Sequence, residues 1–154
     1  MAAMTLEIEE IVIHYLRSLS ALKAIVGDAI YGETADPRAP IKRVEVEKTS
    51  DERLRELEGP SGYSMPEIDI VCRAAKRKDA NRIAKAIRGT EASPALDDLC
   101  GEWIGPVGKR VWIQAVEVTD ATSEHDNPID GSERGPFATR LRAQFFFNES
   151  EAEG

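Results

Sequence analysis

The apolar residues of this chain recur with two different periods, and the order in which those periods alternate limits its fold more than any other feature. Between Thr5 and Leu22, Ile8, Ile11, Val12, Tyr15, Leu16 and Leu19 are spaced by three and four, which places them on one face of an amphipathic helix. Thr5 is a suitable N-cap, and Glu7, Glu9 and Glu10 set negative charge beside the first-turn N–H groups. Ser20 to Val26 either continues this helix or restarts as a short one before Gly27. From Ile41 to Lys48 the period drops to two, with Val44 and Val46 against Arg43, Glu45 and Glu47, as in a strand with one wet face. Glu67 to Arg73 alternates in the same way through Ile68, Ile70 and Cys72. Helical spacing returns at Ala80, Ile83, Ala84 and Ile87, and Gly89 follows. Arg110 to Thr119 then reads as a strand with Val111, Ile113 and Ala115 on one face and Trp112, Val116 and Val118 on the other. Phe137 to Asn148 reads as a last strand, with Leu141, Ala143, Phe145 and Phe147 opposite Arg140, Arg142 and Gln144.

The order is helix, strand, strand, helix, strand, strand, which predicts an α+β fold. The economical packing lays two amphipathic helices on one face of a four-stranded, mostly antiparallel sheet. Gly27 to Pro40 is expected to be irregular, because Gly32, Pro37 and Pro40 break both periods. Thr49 to Met65 is expected to be a mobile loop or an extended hairpin arm, and Asp120 to Pro136 a second long polar loop. Ser93-Pro94 is an N-cap followed by a first-turn proline, with Leu96 and Leu99 available for burial. Residues 1–148 are read as a single domain and 149–154 as an acidic, disordered tail.

At 154 residues the chain is long enough to bury a core without staples. It contains no apolar run of membrane-spanning length, and its start lacks a basic, then apolar, secretion signal. With 20 Lys and Arg against 28 Asp and Glu, its net charge of −8 argues against a dedicated nucleic-acid binder. Cys72 and Cys100 fit no paired or metal-binding spacing and read as small buried hydrophobes in a reducing compartment.

Templates for chemistry fail in turn. A phosphate-cradling loop ending at Gly108-Lys109 would need glycine where Trp103 stands and Ser or Thr where Arg110 stands. His14 lies on a helix, and His125 has no second nitrogen or sulfur ligand near it in sequence. The acidic run around Asp126 and Asp130 misses calcium-loop spacing and is interrupted by Pro128. A site built from Asp97, Asp98 and His125 would need residues that no spacing brings together. No catalytic residue, cofactor or metal ligand is assigned.

Surfaces for association are more suggestive. Arg77, Lys78, Arg82 and Lys85 belong to a basic segment, Arg73 to Arg88, inside an acidic chain, and such asymmetry steers one subunit onto the acidic face of another. The plain alternative is a solvated helix face. The long loops offer Arg53, Arg55, Tyr63 and Met65 in the first, His125, Asp126 and Asp130 in the second, and Phe137 at its close.

Leu22-Lys23-Ala24-Ile25-Val26-Gly27-Asp28-Ala29-Ile30-Tyr31, Pro40 opening a strand, Pro66 to Cys72, and Asp79 to Arg88 with its two Ala and terminal Ile-Arg resemble the tail terminator, or tail-completion, family of long-tailed bacteriophages. The resemblance runs from about residue 5 to residue 148. It implies a virion protein of the tail-neck junction, without enzymatic activity, that forms a homohexameric ring on the head-proximal end of the tail tube. The implied partners are further copies of the chain, the tail tube protein and a connector or head-completion protein, with DNA present only as genome passing through the lumen. A head-completion or connector protein is the alternative within the particle, and a small hydrolase or binding domain the alternative outside it.

Overall fold

The computed structural model describes residues 8–32, 41–56, 59–89, 95–96, 99–106, 108, 110–125 and 137–148. Among them are three helices, α1 (Ile8–Arg17), α2 (Ser20–Val26) and α3 (Arg77–Arg88). Six strands accompany them: β1 (Ile30–Tyr31), β2 (Arg43–Glu56), β3 (Gly59–Ala74), β4 (Glu102–Ile104), β5 (Val111–His125) and β6 (Phe137–Asn148). The strands form one curled half-barrel sheet in the order β1-β2-β3-β6-β5-β4. β1 runs parallel to β2, and every other neighbouring pair is antiparallel.

The α+β class and the antiparallel character follow the periodicity, but six strands replace the expected four. The two additions are edge strands of two and three residues, too short to show a period. β1 lies within the stretch expected to be irregular, and β4 within the glycine-rich stretch after Leu99. The helical stripe also divides. α1 ends at Arg17, the N–H groups of Ser18 and Leu19 bond back to Tyr15 and Leu16, and α2 starts at Ser20. At its end Gly27 has φ 63° and donates its N–H to the Lys23 carbonyl. Arg17 donates from Nη2 to the Ile30 carbonyl at 2.8 Å, tying the end of α1 to β1.

One continuous core joins these elements. α1 contributes Ile8, Ile11, Val12 and Leu16, α2 Leu22 and Val26, and α3 Ala80, Ile83, Ala84 and Ile87. They meet Val44 and Val46, Ile68, Ile70 and Cys72, and Leu141, Ala143, Phe145 and Phe147 from one face of the sheet. Register explains why those strand residues share a face: Val44 is opposite Cys72, Val46 opposite Ile70, and Ile70 opposite Leu141. Leu96 and Leu99 join the same core, as the leucine spacing predicts.

Two assignments on β5 change. A register shift between Ile113 and Ala115 inserts one extra residue against β6 and exchanges the faces of the residues that follow it, up to a second shift between Val118 and Asp120. Val111 and Ile113 are buried as expected, but beyond the shift Val116 and Val118 pack against the core and Ala115 is exposed. Strand β5 also continues through His125, so the first residues of the expected 120–136 loop are ladder. The rest of that loop lies outside the described residues, as do Pro94 and the tail. Thr49 to Met65 is the hairpin arm rather than a loop: β2 and β3 stay paired to Glu56 and Gly59. Cys72 is buried, whereas Cys100 is exposed and its thiol lies 3.1 Å from the Gln114 carbonyl. The hydrophobe reading therefore fails for Cys100, which sits just before the edge strand β4.

Gly89 has φ 95°, and a Cβ there would fall within contact distance of the Ala95 backbone nitrogen and 3.0 Å from the Ala95 Cβ. Gly32 has open space around it. Gly89→Ala is therefore expected to cost about 2 to 3 kcal/mol, from backbone strain plus overlap with backbone that cannot swing aside. Gly32→Ala should change stability by less than about 1 kcal/mol. Urea unfolding of both variants beside the parent checks this, and equal losses would contradict it.

Candidate assembly surfaces

The face of the sheet away from the helices carries opposed charges in register. Arg43, Glu45 and Glu47 on β2 face Arg73, Val71 and Asp69 on β3, and β3 in turn sets Asp69 opposite Arg142 and Val71 opposite Arg140. Asp69 is only 2% exposed and Glu45 6%. Arg140 Nη1 donates to Asp69 Oδ2 at 2.9 Å, and Arg142 Nε donates to Asp69 Oδ1 at 3.0 Å. Arg140 also lies 3.7 Å from Glu47, so one guanidinium spans three strands. Glu45 is held by Arg73 at 2.6 Å and Arg43 at 3.4 Å. Burial alone would raise the pKa of Asp69; the hydrogen bonds from Arg142 and Arg140, and their charges, outweigh it and hold the carboxyl below 3.8. Burial pushes the Cys72 thiol well up, so at neutral pH this cysteine is protonated and a poor nucleophile.

The α3 surface is different in kind. Arg77, Lys78, Arg82, Lys85 and Arg88 are exposed on it, and Asp79 is the only acid in the helix. At its N-terminal end the Arg77 guanidinium stands 5.4 Å from the centre of the Phe137 ring, a cation–π distance. Along the helix, Thr139 Oγ1 and Asn81 Oδ1 are 2.7 Å apart. They border a groove of about 350 Å³ lined also by Ala84, Lys85, Arg88, Gly89 and Leu141.

The two hairpins close at opposite ends of the sheet. Tyr63 is opposite Asn148 and Ser64 opposite Phe147, so Arg53, which faces Ser64, is level with the C-terminal end of β6, and Arg55, which faces Pro60, stands beyond it. The β5–β6 ladder closes at His125 and Phe137, the N-terminal end of β6. Sequence-predicted residues therefore fall into two groups. Arg53, Arg55, Tyr63 and Met65 lie on one arm; His125, Phe137, Arg77, Lys78, Arg82 and Lys85 lie toward the other end, along α3 and the β5–β6 closure. Asp126 and Asp130 lie outside the described residues, as do Asp97 and Asp98.

Two features are absent from the sequence-based selection. The Asp69 clamp was foreshadowed by acids alternating on β3 and arginines alternating on β6 with the same period, and only the strand order shows that they meet. Trp103, on the edge strand β4, is 47% exposed and packs edge-on against Trp112 with ring centres 5.6 Å apart. A lone tryptophan between glycines carried no periodic signal.

Replacing Asp69 by Asn leaves two guanidinium groups without their counter-charge. Because Arg142 is partly exposed, the cost at pH 7 is expected near 2 kcal/mol rather than the 3 to 5 of a fully buried pair. Asp69 has a depressed folded pKa, so its contribution is present above the unfolded value near 3.9 and is lost as pH falls through the folded value, below 3.8. The stability difference between parent and Asp69→Asn should thus shrink toward pH 2, which denaturant titrations at several pH values would check.

No protein-family model matches the chain, and no curated protein matches it in sequence. Among solved structures, the fold matches a chain from the virion of a native gene transfer agent particle with a TM-score of 0.62. The match covers 89% of this chain and 91% of that one at 17% identity. The likeness extends nearly end to end in both chains, and what it establishes is a shared fold.

Proposed function

We propose that this protein is a structural component of a phage-like particle, a tail terminator whose copies close into a six-membered ring on the head-proximal end of the tail tube. The observation that carries this reading is the near end-to-end fold likeness to a virion chain, in agreement with the resemblance of residues 5–148 to the tail terminator family. The geometry supports it further: hairpins closing at opposite ends of one sheet give a subunit two separate reaches, suited to a tube below and a connector above. Such a protein acts by binding. Heterologous contacts close after a fixed rotation, one ring face matches the last tube ring, and the other offers further tube subunits no template. The genome crosses the lumen without being read, and no catalysis or cofactor is required.

Disrupting the gene in the element that carries it, followed by electron microscopy of the particles, tests this reading. Overlong or ragged tails beside filled, tailless heads are expected. Tails of normal length beside leaking heads would overturn it in favour of a head-completion or connector role, and intact particles would overturn both.

A further inference from the structure

Lys78, Arg82 and Lys85 form one exposed row on α3 at spacings of four and three, and none of them has an ion pair among the described residues. This is unlike the opposite face of the sheet, where Glu45 of β2 and Asp69 of β3 are already matched by arginines. The groove between α3 and β6 continues the row with Asn81, Arg88 and Thr139 as polar lining. A surface of this kind calls for an acidic polypeptide. The sequence that follows β6, Glu149-Ser150-Glu151-Ala152-Glu153, has an acid at every second position and no cation. In an extended backbone those three carboxylates fall on one side at about 6.7 Å intervals. The cationic row advances along the helix axis by about 6 Å and then about 4.5 Å, and long lysine and arginine side chains take up the difference.

The segment leaves β6 at Asn148, whereas α3 lies over Thr139 and Leu141 at the other end of that strand. Leu141 and Asn148 are seven residue steps apart along the strand, about 23 Å, so the segment starts away from the α3 of its own copy. We propose that α3 and its groove are a receptor for residues 149–153 of an adjacent copy, forming a head-to-tail contact between two different surfaces, the kind that builds a ring. The inference rests on the self-association in the proposed function, not on where in a particle the ring sits.

The test uses the full chain in two charge-reversed forms and sedimentation equilibrium as the readout. One form carries Lys78→Glu, Arg82→Glu and Lys85→Glu; the other carries Glu149→Lys, Glu151→Lys and Glu153→Lys. Each alone should associate at least about tenfold more weakly than the parent, as three exposed ion pairs allow, and the parent should weaken in high salt. Mixed one to one, the two forms should recover association, because every α3 then meets a complementary segment on a different copy. Circular dichroism confirms that both forms are folded, which the exposure of all three cations predicts. Recovery only when both sets of changes sit in one chain would show docking within a copy and overturn the proposal. So would unchanged association in either form, loss that neither combination restores, or a parent that remains monomeric at every accessible concentration. The particle phenotype of the gene disruption is read independently, so failure here leaves that test standing.

Discussion

The pairing of β3 with β6 is the seam on which the rest of the molecule depends. It joins two hairpins that are distant in the chain, and the bond between Arg140 and Asp69 spans 71 residues. Closing so large a loop costs entropy that only a long ladder with a well-filled face can offset. On one face Phe145, Leu141 and Ala143 supply burial; on the other Asp69 takes two guanidinium groups. A slip of one residue would exchange these faces, setting arginines into the core and leucine and phenylalanine against carboxylates. The seam is therefore specified twice, once by burial and once by charge.

Elements whose pattern ran for several periods were legible from the amino-acid order. α3 emerged from four apolar positions and a terminal glycine, and the alternation on β3 and β6 placed Ile68, Ile70, Leu141 and Phe145 on the buried face where they are found. β1 and β4 were not legible, because two or three residues cannot display a period. On β5 the alternation was real, yet the extra residue between Ile113 and Ala115 broke its phase, and nothing in Ile-Gln-Ala announces a bulge. The arm from Thr49 to Met65 was charged, proline-bearing and without a stripe, and pairing with its own return strand decided its form. Of the candidate surfaces, the basic row on α3 could be read directly. The Asp69 clamp could not, since its members lie on strands whose adjacency is a property of the sheet order.

Charge is distributed by role rather than spread evenly. The sheet face opposite the helices neutralises itself through short, partly buried pairs that fix three strands relative to one another. The α3 face keeps its cations exposed and concentrated, although the whole chain is acidic. A protein made this way has a cross-linked middle and a strongly signed flank, which favours rapid, oriented encounters with an acidic surface at low ionic strength.

The shortness of the two edge strands leaves much of the neighbouring backbone open on one side. An open sheet edge accepts any extended chain, so a protein that exposes one is at risk of adding strands to itself without limit. Among the described residues β1 covers β2 only at Val44 and Glu45, and β4 covers β5 only from Val111 to Ile113, so the remainder of β2 and of β5 has a strand neighbour on one side alone. Those lengths are broken rather than straight, with register shifts between Lys48 and Ser50 and between Arg53 and Arg55 on β2, and between Ile113 and Ala115 and between Val118 and Asp120 on β5, and irregular edges of this kind make a poor template for fibre growth.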